Sequence, residues 1–62
     1  MRFTVVVRPD GRTGILDTTK MQFAHFLNVE GQVVSPRQRA DRAAARLNDG
    51  TDTTIGYAWE KA

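Results

Sequence analysis

Sixty-two residues and a mass of 6.9 kDa allow one domain, residues 1–62, and a domain this small buries only about 60% of the surface its unfolded chain exposes. The lack of cysteine excludes disulfides, thiolate zinc sites and a cysteine nucleophile. The longest apolar runs, such as Val5–Val7, are three residues, far short of the roughly 20 residues of a membrane span; with no signal-peptide pattern, a cytoplasmic protein is expected.

Residues 2–8 are rich in β-branched types, and Phe3, Val5 and Val7 alternate onto one face, which predicts a half-buried strand. Pro9-Asp10-Gly11-Arg12 is turn chemistry: proline presets φ, aspartate bonds to nearby backbone, and glycine accepts positive φ. The chain then returns over Thr13–Leu16 as the second strand of a hairpin, with Gly14 weakening it or marking a bulge.

Residues 17–28 admit two readings. A helix capped by Asp17 or Thr19 sets Phe23, Phe26 and Leu27 at i, i+3, i+4. A strand instead sets Phe23, His25, Leu27 and Val29 on one face, with a turn at Glu30-Gly31 leading into Gln32-Val33-Val34. Lysine, methionine, glutamine, alanine and leucine favour the helix, so a short second helix over about 19–28 is expected.

The next segment has explicit helix punctuation. Ser35 as cap, Pro36 at the first helical position and Gln38 at the third form a capping box. Ala40, Ala43, Ala44 and Leu47 recur on one face, and Gly50 supplies a left-handed stop, predicting a helix over about 36–48. Beyond it, Ile55, Tyr57 and Trp59 alternate, predicting a C-terminal strand over 53–59 that pairs with the first strand. The fold class is α+β: a small antiparallel sheet, formed by the N-terminal hairpin and a C-terminal strand, packed on one main helix.

Charge is uneven along this frame. The total is only +2, yet residues 35–47 carry Arg37, Arg39, Arg42 and Arg46 against Asp41 alone, while the remainder has five basic and six acidic groups. Arg39, Arg42 and Arg46 fall at i, i+3 and i+7, so an outward stripe is expected whose like charges cost a few tenths of a kcal/mol per pair. An anionic partner would relieve that repulsion, because arginine offers a planar fork to carboxylate or phosphate. As a plain solvated face, the stripe needs no partner, and Arg46 near the helix end is favoured by the dipole.

The order of a helix, a break and then Ser35-Pro36-Arg37-Gln38 opening an arginine-bearing helix, followed by a strand, resembles a helix-turn-helix with a wing over residues 19–59. It departs from that motif at Asn28–Val34, longer than the usual three- or four-residue turn. The resemblance implies base or phosphate contacts by Arg37, Gln38 and Arg42. Tyr57 is a candidate aromatic contact with a partner, whereas the single tryptophan, Trp59, is expected in the core.

No residues point to catalysis or to a cofactor. His25 has no cysteine or second histidine as a companion, Ser35 is explained as a cap, and Asn48, Asp49 and Asp52 lack the spacing of a calcium loop. The expected activity is therefore non-enzymatic docking onto a macromolecule, a protein partner before DNA or RNA, through the arginine face or an open sheet edge. A more distant reading is self-association through the alanine face.

Overall fold

A computed structural model describes all residues, 1–62. Four strands, β1 (Phe3–Val7), β2 (Thr13–Asp17), β3 (Gln22–His25) and β4 (Trp59–Lys61), form one antiparallel sheet in the order β1-β2-β3-β4. A single helix, α1 (Pro36–Asp49), lies between β3 and β4 in the chain, and a 3₁₀ turn, Thr54–Gly56, precedes β4. The architecture is α+β, a sheet packed on one main helix.

The first hairpin forms as its residues require. Arg8 and Arg12 close a loop in which Gly11 has φ of 89° and donates to the Arg8 carbonyl, while the Asp10 carboxylate accepts from the Arg12 backbone N–H. The register runs unbroken from Phe3↔Asp17 to Val7↔Thr13, so Gly14 marks no bulge. Glycine is needed there for close approach: a Cβ at Gly14 would stand 2.0 Å from the Ala24 carbonyl oxygen.

The expected helix over 19–28 is absent, and β3 takes its place. The Asp17 carboxylate accepts from the Thr19 and Lys20 backbone N–H groups, the same bonding that caps a helix. Here it tightens a turn instead, because Met21 adopts a left-handed φ of 52° and sends the chain back against β2. Residues 26–34 then run irregularly to α1, with a turn at Glu30-Gly31 and no strand at Gln32–Val34.

α1 carries the predicted caps. Ser35 and Gln38 exchange both capping-box hydrogen bonds, and Gly50, at φ of 83°, closes the helix with its N–H on the Arg46 carbonyl. Ala40, Ala43, Ala44 and Leu47 are buried against Phe3 and Ile15. Four alanine-sized or aliphatic contacts bury little area, and a row of rings widens the core: Phe3 to Trp59 at 6.2 Å, Trp59 to Tyr57 at 5.9 Å, Tyr57 to Phe26 at 6.1 Å. Trp59 packs against the core as expected.

The C-terminal segment departs from expectation in two ways. Residues 54–56 form the 3₁₀ turn, leaving Ile55 90% exposed, and the strand begins only at Trp59. Two polar handles on aromatic rings hold this arrangement: Trp59 Nε1 donates to the Thr54 carbonyl, and the Tyr57 hydroxyl donates to Asp52 Oδ2. The strand also pairs with β3, not with β1. The β1 edge is already engaged at Phe3, whose N–H and C=O are both bonded by the Asn48 carboxamide at 2.9 and 2.8 Å.

Ile15 faces α1, so its register partner Ala24 does too, and Leu16 and Phe23 point to the opposite side of the sheet. Phe23 is nonetheless 1% exposed. The guanidinium of Arg8 stands 4.8 Å from its ring centroid and that of Arg12 5.8 Å, so arginines roof the side that no helix covers.

Candidate functional site

The four arginines of α1 do not share one outward stripe. At about 100° per residue, Arg39 lies about 40° from Ala43, on the flank of the buried face. Its guanidinium turns inward: Nη2 donates to the Leu27 carbonyl, the ring of Phe26 lies 6.0 Å away, and Nε is enclosed with no acceptor. Arg46 remains half-exposed but reaches the Asp52 carboxylate at 3.9 Å. Arg37 and Arg42 are exposed and make no ion pair, though they do not neighbour each other along the helix face. The expected set is therefore divided between one inward, one paired and two separate outward side chains.

Tyr57, the expected aromatic contact, is half-buried in the ring row and lines a cleft. The cleft forms where the β3 and β4 ladder opens beyond Ala24↔Trp59. It has a volume of about 290 Å³ and is open on one side, with Phe26, Leu27 and Val29 along one wall, Gly56 and Tyr57 along the other, and Arg39 reaching in from α1. No aspartate or glutamate lines it. Leu27 and Val29 at its mouth are 64% and 46% exposed.

Burial and the Asp52 hydrogen bond together push the Tyr57 hydroxyl above its ordinary pKa, while accepting that bond holds the Asp52 carboxyl below the ordinary carboxylate value. A stronger constraint sits at Asp17, 1% exposed, whose two oxygens accept Arg2 Nε and Nη2 at 2.9 Å each. That fork, then the two turn N–H groups, hold its carboxyl below the ordinary range against the opposing effect of burial. Asp17 is a structural anchor, fixing the start of β1 to the β2–β3 turn.

A second surface is the outer edge of the sheet at β1. The N–H of Thr18 donates to the Arg2 carbonyl and the N–H of Arg8 to the Arg12 carbonyl, so even-numbered residues of this strand bond toward β2. By alternation, the backbone groups of Phe3, Val5 and Val7 point outward. Phe3 is satisfied by Asn48; Val5 and Val7 have no partner from another element. The opposite edge differs, being three residues long with exposed Glu60 and Lys61, which is how edges are normally protected from pairing.

Sequence reasoning named an open edge without locating it, and it weighed Asn48 only as turn and loop chemistry. An asparagine in a last helical turn reads as punctuation; its use as a surrogate strand depends on where β1 lies in space. The inward turn of Arg39 did have a signal, its place about 40° from Ala43 on the helix wheel.

No group of three or more histidine, cysteine, aspartate or glutamate side chains is gathered to hold a metal ion, and no helix is long and apolar enough to cross a membrane. Compared with protein-family models, with curated proteins and with solved structures, the chain matches none of them.

Proposed function

We propose that this chain is a cytoplasmic, non-enzymatic protein-binding module that takes an extended segment of its partner as an added strand along β1. The observation that carries the reading is the unpaired outward backbone of Val5 and Val7 on an edge strand with no proline and no bulge. Asn48 supports it in a specific way. Its carboxamide makes at Phe3 the same pair of bonds that a neighbouring strand would make, so it ends the available edge there and sets where an incoming segment begins.

Nucleic-acid binding has less support. A helix-turn-helix needs a helix before α1, where β3 and an irregular loop stand, and two of the four arginines are engaged within the chain.

The test is selection of displayed heptapeptides against the whole chain, followed by mapping of the selected peptides through backbone amide shifts. The reading expects the largest shifts at Val5 and Val7, and loss of binding in Val7→Pro, which removes an outward N–H that the internal ladder does not use. Shifts centred on Arg37 and Arg42, or unchanged binding by Val7→Pro, would overturn it.

A further inference from the structure

The cleft beside Arg39 lies at the far end of the strand order from β1, and its chemistry is different. We propose that it receives the C-terminal residue of a polypeptide, with the terminal carboxylate on Arg39 and the apolar side chain against Phe26 and Tyr57.

One guanidinium edge of the fold is left unfilled. In this chain Arg2 shows the filled form, Nε and Nη2 both donating to one carboxylate at 2.9 Å. Arg39 offers the same edge half used: Nη2 donates to the Leu27 carbonyl, and Nε is enclosed without an acceptor. No carboxylate of the chain forms an ion pair with it. Enclosed donors are normally matched, and a planar fork is matched best by a carboxylate.

The walls then select what carries that carboxylate. Apart from His25 and Arg39 they are aromatic, aliphatic or glycine, contain no acidic group, and border an open cleft of about 290 Å³, at the low end of the roughly 300–1,000 Å³ of small-ligand pockets. That space suits one residue. A C-terminal residue brings an apolar side chain and a carboxylate from one carbon atom, and the exposed Leu27 and Val29 at the mouth offer apolar surface to the residues before it. Filling the Arg39 edge draws Nη2 from the Leu27 carbonyl, so occupancy also moves the loop after β3.

The test uses the intact chain and an N-acetylated five-residue peptide ending in Val-Leu, in two forms: free C-terminal acid and C-terminal amide. Titration followed by NMR should show saturable shifts at Leu27, Tyr57 and Arg39 Nε, with the acid bound about tenfold more tightly than the amide, as loss of a charge-assisted pair implies. Arg39→Gln should abolish the preference and Arg39→Lys retain part of it. Equal binding of acid and amide, or no shift at the cleft with millimolar acid, would overturn the proposal without any variant. So would equal binding of an amidated peptide with an internal aspartate, or of isovalerate alone. Val7→Pro should leave this titration unchanged, so its failure and that of the β1 reading are separable.

Discussion

Gly14→Ala should unfold the protein or bring it close to unfolding. A Cβ there stands 2.0 Å from the Ala24 carbonyl oxygen, 2.8 Å from Phe23 Cζ and 2.9 Å from the Ala24 carbonyl carbon, where contacts under 3.0 Å are essentially never found. The two nearest obstacles are backbone and a buried ring, so relief requires β2 and β3 to part by about an ångström. That separation acts on the central ladder, to which both β1 and β4 are attached. Overpacking of this kind costs roughly 1–3 kcal/mol before any ladder bond is lost, against a total stability of roughly 3–9 kcal/mol for a chain of this length. In urea, with a slope of about 1 kcal/mol/M for so small a domain, the midpoint should fall by at least about 1–3 M. Gly56→Ala is the control: its added methyl meets nothing within 4 Å and its φ is not in the left-handed region, so it should stay within about 0.5 kcal/mol of the parent. Equal midpoints for the two variants would refute the close β2–β3 approach.

Further outcomes follow from named contacts. Asp17→Asn should lower stability by about 1.5–3 kcal/mol at neutral pH by removing charged acceptors from Arg2. Because the Asp17 carboxyl is held below its ordinary value of 3.8, its contribution is complete above that pH and is lost as pH falls through the lower folded value. Urea midpoints of the parent measured from pH 7 to pH 2 should therefore drop more steeply below about pH 4 than those of Asp17→Asn. Asn48→Ala should cost about 1–2 kcal/mol in the same assay and speed hydrogen exchange of the Phe3 amide, since both of its edge groups lose their partner. Ser35→Ala should cost about 1 kcal/mol through loss of the capping box, with no change at the β1 edge or the cleft.

Elements defined by local chemistry were readable from the chain. Pro9-Asp10-Gly11 and the Ser35, Pro36, Gln38 and Gly50 signals act within a few residues of themselves, and the first hairpin and α1 stand where those signals put them. Elements that depend on distant partners were not. Asp17 caps two N–H groups whether a helix or a turn follows, and Met21 in the left-handed region decides for the turn. The alternation of Ile55, Tyr57 and Trp59 is that of a strand, yet the Trp59 indole and Tyr57 hydroxyl bind back to Thr54 and Asp52 and hold a 3₁₀ turn with Ile55 outside. Period alone could not anticipate those bonds.

The candidate sites divide in the same way. Clustering of arginine in residues 35–47 was visible, and its dispersal came from Leu27, Phe26 and Asp52, which approach α1 only in the fold. Phe23 shares a sheet face with His25, as the strand alternative set it, but that face is turned away from α1 and covered by arginines. A β1 edge closed at Phe3 by Asn48 and open at Val5 and Val7 combines residues far apart in sequence, and so left no trace in its pattern.

Amide hydrogen exchange along β1 in the free protein tests the central claim most directly. The outward edge predicts slow exchange at Thr4 and Val6, which bond to β2, protection of Phe3 by Asn48, and fast exchange at Val5 and Val7. Val5 and Val7 exchanging as slowly as Val6 would mean that the edge is already occupied, and no strand could be added there.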